Sequence, residues 1–203
     1  MAGTIPFKDH SEEPSGGALA QAEPQLSGQF TTRDGYPLSY RLIRAADARL
    51  LIDLFDRLSP ESRRRRFHAN LEHLSGEAKW ERASALANVD NRTLGGAVLA
   101  IERDADGCEQ VVGVARLARP PDQPHSPEAE VAVVVRDDFQ GRGVGSELLR
   151  RMARLAQQMG VRTLVAEIEA DNEAALRLFR GLALPAETTA HRGLVVMRIQ
   201  TPG

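Results

Sequence analysis

The residues best suited to chemistry lie in one short segment, Val133-Val134-Val135-Arg136-Asp137-Asp138-Phe139-Gln140-Gly141-Arg142-Gly143-Val144-Gly145-Ser146. A β-branched apolar run enters a glycine-rich turn, and the turn opens a strongly amphipathic stretch. Such a turn points several backbone N–H groups outward at a helix N-terminus. Those unpaired donors, with the positive end of the helix dipole, suit a phosphate. Glycine lets the backbone come close to the anion and reach positive φ. Three phosphate-binding patterns compete. A P-loop ends in Gly-Lys-Ser/Thr, and this segment has no lysine. The dinucleotide fingerprint Gly-x-Gly-x-x-Gly fails, because its last position falls on Ser146 or Leu148. The pattern Arg/Gln-x-x-Gly-x-Gly/Ala fits Gln140, Gly143 and Gly145. A plain turn is the bland alternative, but three glycines in five residues destabilise a helix start that has no use for them.

The surrounding periodicities supply a scaffold for that loop. Asp34-Gly35 is a turn signal between two short extended runs, the second over 38–43. Leu51, Leu54, Phe55 and Leu58 recur at helical spacing. Ser59-Pro60 ends that helix and starts another, and a further one begins near Ser75-Gly76-Glu77. A hairpin is expected from strands at 95–102 and 109–117, with Asp104-Ala105-Asp106-Gly107 as its turn. After a proline-rich loop at 120–127, Glu130 to Val135 reads as a central strand. Leu148, Leu149, Met152, Leu155, Ala156 and Met159 form one apolar helix stripe, ended by Gly160. A strand over 161–168, a helix from Asn172 and a strand over 194–199 complete the pattern. The fold class is therefore α/β or α+β, one domain around a single sheet.

Composition narrows the setting. Residues 1–29 are rich in Gly, Pro, Ser, Ala and Gln, carry a net charge of −3 and have few large apolar side chains. They are expected to form a disordered tail, with residues 30–203 as the folded domain. The whole chain has a formal charge of −2, so no nucleic-acid partner is expected. Cys108 is the only cysteine, which excludes an intrachain disulfide and favours a turn or strand-end role over a nucleophile. His68, His73, His125 and His191 lack metal-ligand spacing, so no metal is expected. No apolar run reaches the roughly 20 residues of a membrane span, and no basic-then-apolar start resembles a signal peptide. The expected setting is cytoplasmic, with no membrane partner. Trp80 reads as a half-buried helix residue, and the run Arg63 to Arg66 as a solvated helix face or a dock for an acidic group.

The loop, its strand and its helix resemble motif A of the Gcn5-related N-acetyltransferases (GNAT). Asn172-Glu173-Ala174-Ala175-Leu176-Arg177-Leu178-Phe179 resembles the second motif of that family, Asn-x-x-Ala-x-x-Leu-Tyr. The resemblance runs from about residue 30 to the C-terminus. Leu58-Ser59-Pro60-Glu61-Ser62 with Arg66-Phe67, and Ala129-Glu130-Val131-Ala132, are similar to the acyltransferase domain of the bacterial Pat-type protein-lysine acetyltransferases.

That resemblance implies a mixed, mainly antiparallel sheet flanked by helices, with two central strands splayed apart. It implies acetyl-CoA as co-substrate, with its pantetheine arm on the backbone of Val133, Val134 and Val135. Its pyrophosphate would rest on Gln140, Gly141, Arg142, Gly143, Val144, Gly145 and Ser146. Asn172 and Phe179 would complete the cofactor contacts. A backbone N–H near Val133 would stabilise the developing oxyanion. The acceptor amine must lose a proton, which costs about 4–5 kcal/mol for a lysine at pH 7. Glu130 is the expected general base, a charge on an apolar strand, with Glu128 as backup. Phe179 stands where many members have a tyrosine that protonates the leaving thiolate, and Ala183-Leu184 replaces the usual Gly-Phe. The expected acceptor is a protein lysine, with a small amine as the alternative. A non-catalytic acyl-CoA-binding module is the competing class, and either a monomer or a homodimer fits.

Overall fold

The computed structural model describes residues 26–67 and 74–202. Residues 1–25 of the expected tail, together with His68 and His73, lie outside the described residues. Gly28 and Gln29, assigned to that tail, already belong to the first strand.

The elements in order are β1 (Gly28–Thr31), β2 (Pro37–Leu42), α1 (Ala48–Arg57), α2 (Pro60–Phe67), α3 (Gly76–Ala87), β3 (Gly95–Arg103), β4 (Glu109–Ala118), β5 (Glu128–Val135), α4 (Val144–Gln158), β6 (Thr163–Glu169), α5 (Glu173–Arg180), β7 (Ala186–His191) and β8 (Leu194–Gln200). They build one sheet in the order β1-β2-β3-β4-β5-β6-β8-β7. Every neighbouring pair is antiparallel except β5 and β6, which run parallel. The mixed, mainly antiparallel sheet of the expected fold class is present.

The sheet separates two apolar cores. On one face, Leu148, Leu149, Met152, Leu155 and Ala156 of α4 pack with Leu176 and Phe179 of α5. On the other, Leu54 of α1 and Ala83 and Ala87 of α3 cover Leu99, Ile101 and Val111. β5 serves both, because side chains alternate across a strand. Val131, Val133 and Val135 join the α4 side, and Val134 joins the α1 side.

The parallel pair is short. Glu128, Ala129 and Glu130 pair with Thr163, Leu164 and Val165, and the pairing stops there. Both strands continue, β5 to Val135 and β6 to Glu169. Each keeps its other neighbour: β5 stays on β4 through Val135, and β6 stays on β8 through Glu169. The two halves of the sheet therefore diverge into a V, which is the splay that the family resemblance implies.

Some elements differ from the sequence expectation. β7 (AETTAH) has all six residues exposed, so no apolar alternation announces it. Trp80 is 55% exposed rather than half-buried, because α3 turns Ala83 and Ala87 inward instead. A one-turn 3-10 helix, Asp137–Phe139, separates β5 from the glycine turn. Arg136 fixes it, with Nε 2.7 Å from Asp138 and Nη2 3.1 Å from Glu102.

The first turn of α4, just past the glycine loop, carries a buried carboxylate. Glu147 accepts from Arg151 Nε at 2.6 Å and pairs also with Arg150. The Arg151 guanidinium in turn lies 4.1 Å from the Tyr40 ring centroid. Removing one partner of a buried pair strands the other charge. Arg150 faces water and only Arg151 is left partly buried, so Glu147→Ala should lower stability by about 1–2 kcal/mol, read as a lower urea midpoint with an unchanged m-value.

Candidate active site

The glycine loop sits at the mouth of the V. Gly141 and Gly143 have φ of 72° and 91°, and Gly143 is the N-cap of α4 with no side-chain cap. The first helical bond of α4 runs from the Glu147 N–H to the Gly143 carbonyl, 3.1 Å. The N–H groups of Val144, Gly145 and Ser146 thus have no acceptor inside the helix. They point outward at its positive end, as an anion site requires. A Cβ on Gly145 would meet Leu178 Cδ2 at 3.0 Å, so the absent side chain is what lets α5 pack against the loop.

Arg142 is held against the β1–β2 hairpin rather than left in solvent. Its Nε lies 2.8 Å from Asp34, and its guanidinium covers the Phe139 ring at 4.6 Å and the Tyr36 ring at 5.1 Å. Its carbonyl accepts from the Arg33 N–H at 2.9 Å. The β1–β2 hairpin thereby clamps the loop from outside. The Arg142 guanidinium and the Thr32 hydroxyl hold the Asp34 carboxyl down to about 2.

Backbone direction in β5 decides which groups face the gap. The Arg136 N–H donates to the Val112 carbonyl of β4 at 2.8 Å. Successive residues of a strand point their backbone groups to opposite edges. The backbones of Ala132 and Val134 therefore also turn to β4. Those of Val133 and Val135 turn toward β6, where pairing has ended. Val134 was expected among the backbone contacts, but its N–H and carbonyl face β4; Val133 and Val135 face the gap. The Val135 carbonyl accepts from Gln140 Nε2 at 3.0 Å.

α2 touches both limbs of the V. On the β5 side, Ser59 and Ser62 hydroxyls donate to Asp137 at 2.7 and 2.8 Å, and Gln140 Nε2 donates to Ser62 Oγ at 3.2 Å. Burial pushes the Asp137 carboxyl up, but the Ser59 and Ser62 hydrogen bonds outweigh it and leave the group below its usual range. On the β6 side, Arg64 Nη1 donates to Glu169 at 2.7 Å and Arg65 Nη1 to Asn172 Oδ1 at 3.3 Å. Arg63 donates to the Phe55 and Asp56 carbonyls at the end of α1. The arginine run is thus largely spent inside the molecule, not on solvent.

Two expected cofactor contacts take other roles. Asn172 Oδ1 caps α5 by accepting from the Ala175 N–H at 3.1 Å. Phe179 is 4% exposed and belongs to the α4–α5 core, so it offers no surface to the gap. Its periodicity with Ala175, Leu178 and Leu182 carried that signal. Ala183, where the family has glycine, adopts φ of 53°, the conformation that glycine favours.

Glu130 projects to the α1–α2 face and is exposed at the base of the V. Two guanidiniums share that face, Arg116 on β4 and Arg66 on α2. Both interact electrostatically with Glu130. Glu128 instead pairs with Arg198 of β8. Beside Arg66 and Arg116 opens an apolar pocket lined by Leu54, Phe55, Leu86 and Val134. It holds about 50 Å³ and shares Phe55, Arg66 and Leu86 with a cavity of about 370 Å³ between α1 and α3. Sequence reasoning missed this pocket and Arg116, because only the β4–β5 register places Arg116 beside Glu130. Among the described residues, no group of His, Cys, Asp and Glu side chains is arranged to hold a metal.

The profile of the Acetyltransferase (GNAT) family matches residues 51–183. The chain belongs to this family. It is 26% identical to the GNAT domain of S. lividans PAT, with a TM-score of 0.73 over 86% of this chain and 97% of that one. It is 32% identical over 114 residues to the L-methionine sulfoximine/L-methionine sulfone acetyltransferase of Pseudomonas aeruginosa; this covers 56% of the chain and 65% of the relative. The fold also matches yncA of Salmonella typhimurium, solved with its cofactor acetyl-CoA, at a TM-score of 0.58 and 20% identity over 82% of this chain and 95% of that one. Unpaired N–H groups at the start of α4 and free backbone edges in the gap fit the pyrophosphate and amide groups of such a molecule.

Two outcomes check this geometry. Gly143→Ala forces a side chain into φ of 91° and against Arg33 Cγ at 3.3 Å. It should weaken acetyl-CoA binding by about tenfold or more in calorimetric titration, equal to about 1.4 kcal/mol. The second concerns acid. A depressed carboxyl keeps its charge, and its ion pair, until pH falls through its folded value. The Asp34–Arg142 clamp should therefore persist at pH 4 and open near pH 2. In an NMR titration of the Asp34 carboxyl, Arg142→Met should raise the midpoint toward the ordinary value of about 3.9 without reaching it, because Thr32 still donates to the carboxylate.

Proposed function

We propose that this chain transfers the acetyl group of acetyl-CoA to a primary amine, with Glu130 as the general base. The observation that carries the reading is the V itself: a glycine loop with unpaired N–H groups at its mouth, an unpaired strand edge along one wall, and an exposed carboxylate where the walls meet. Val144, Gly145 and Ser146 hold the pyrophosphate through their N–H groups. Val133 and Val135 hold the pantetheine amides, and the Val133 backbone lies beside the reacting carbonyl. The co-substrate supplies an activated acyl group as a thioester.

The amine attacks the thioester carbonyl carbon. A C–N bond forms and the C–S bond breaks. The amine proton passes to Glu130, directly or through one water, and the departing thiolate takes a proton from solvent. Arg66 and Arg116 make the surroundings of Glu130 cationic. An ammonium is disfavoured beside them and a neutral amine is not, which offsets part of the roughly 4–5 kcal/mol needed to deprotonate it.

Two acceptor classes divide the likenesses. The resemblance of residues 58–62 and 129–132 to Pat-type domains, beside the likeness to the GNAT domain of S. lividans PAT, supports a protein lysine. The similarity to an L-methionine sulfoximine/L-methionine sulfone acetyltransferase supports a small amine. The half-open pocket at Arg66 and Arg116 is lined from α1, α2 and α3, which favours the small amine over the lysine that the sequence resemblance suggests.

Glu130→Gln should leave acetyl-CoA affinity within about twofold and lower kcat by about 100-fold or more, measured as thiol release with a saturating amine. Equal turnover by the variant removes Glu130 from the mechanism. Binding of acetyl-CoA with no turnover of any amine would turn the assignment into an acyl-CoA sensor.

A further inference from the structure

Arg66 and Arg116 differ from the solvent-facing arginines of this chain in being shielded from water with no carboxylate of the described residues bonded to them. Most of the others on α2 are tied to carboxylates or carbonyls, as are Arg41, Arg136 and Arg151. Neither Arg66 nor Arg116 is ion-paired with a carboxylate among the described residues. Arg116 spends one nitrogen on the Leu86 carbonyl, 2.6 Å away. Arg66 stacks over the Phe67 ring at 5.1 Å. Both line the small apolar pocket, and both interact electrostatically with Glu130. Burial works against both charges, and the Glu130 carboxylate only partly offsets it. Two half-buried cations in an apolar pocket are expensive unless an anion arrives.

Register places that anion. Arg116 pairs across the sheet with Ala132, two residues from Glu130 on the same face. Such diagonal neighbours lie about 7–8 Å apart. An amine against Glu130 therefore leaves a carboxylate on the adjacent carbon within reach of Arg116 and Arg66. The space at Leu54 and Val134 is only about 50 Å³, so the side chain extends past Phe55 and Leu86 into the cavity of about 370 Å³ at Leu51, Ile52 and Ala83.

We propose that the acceptor is an α-amino acid with an apolar side chain, its carboxylate held between Arg66 and Arg116 while Glu130 faces its amine. This rests on the assignment of Glu130 to the amine. The carboxylate also supplies the charge that a bare lysine side chain lacks: a lysine amine would meet two guanidiniums with nothing to balance them. The planar fork of each arginine suits a carboxylate in two-point contact.

The test is equilibrium binding, which needs no turnover. Protein saturated with CoA is titrated calorimetrically with L-leucine, L-methionine and L-phenylalanine, and with the amide of each. At least one acid should bind tenfold or more tightly than its amide. Arg66→Met should abolish that preference while CoA affinity and the thermal midpoint stay unchanged. Arg116→Lys should keep part of the preference, and so separates lost charge from lost packing. Acids and amides binding alike, no acid binding at all, or an Arg66→Met protein with the full preference each overturns the proposal. The transfer reading fails separately: acids bound as described with no acetyl-CoA consumed would remove the activity and keep the pocket. A lysine peptide acetylated with no acid bound would do the reverse.

Discussion

β5 and β6 share backbone hydrogen bonds only as far as Glu130 and Val165. Past that point each strand keeps one partner and loses the other. Unpaired backbone groups inside a sheet are costly when dry, and an edge that stays wet or meets a ligand escapes the cost. The V therefore stays open because its edges are in reach of solvent, and what fills it must bring its own amide or carbonyl groups. A chain of amides ending in a pyrophosphate answers both walls and mouth. The loop, the free edge of β5 and the position of Glu130 all follow from where the pairing ends.

A V this shallow needs something to hold its limbs at a fixed distance, and α2 is placed to do so. Its hydroxyls grip Asp137 and Gln140 beyond β5. Its guanidiniums grip Glu169 and Asn172 beyond β6. Both sets lie at the surface, so each contact is weak alone and the two sets together hold the helix against both limbs. Gln140 joins this contact to the glycine loop, because one of its nitrogens serves both Ser62 and the Val135 carbonyl. A ligand that takes the Val135 carbonyl competes with Gln140, so filling the gap and positioning α2 are linked through one side chain.

Side-chain period explains what the sequence discloses. Glycine spacing announced the loop, alternation announced the two faces of β5, and the stripe from Leu148 to Met159 announced α4. Each is a pattern along the chain. The splay leaves no such mark, because backbone hydrogen bonds lie in the plane of the sheet and have no residue code; it was legible only through family likeness. β7 escaped because an exposed edge strand needs no apolar period. The ties of α2 escaped because their partners lie about a hundred residues away, as with Arg64 and Glu169. Phe179 was placed at the cofactor by its motif and in the core by its period, and the period was the better guide.

The position of Phe179 also bears on how the thiolate leaves. A tyrosine at a site 4% exposed needs a partner for its hydroxyl, and the neighbours here are the apolar side chains of α4 and α5. Phenylalanine makes that packing unconditional and gives up a proton donor. The loss is tolerable for a thiolate leaving group, whose ordinary pKa near 8.5 needs no strong acid at neutral pH. The harder proton is the one on the incoming amine, and there the chain concentrates its charges: one carboxylate to take the proton and two guanidiniums that disfavour keeping it. The same guanidiniums repel the protonated amine as it arrives, so Glu130 alone offers a cation little net attraction. An acceptor that carries its own anion removes that conflict, binding through the guanidiniums while presenting its amine to Glu130. The charge arrangement that eases deprotonation is then also the one that selects the substrate.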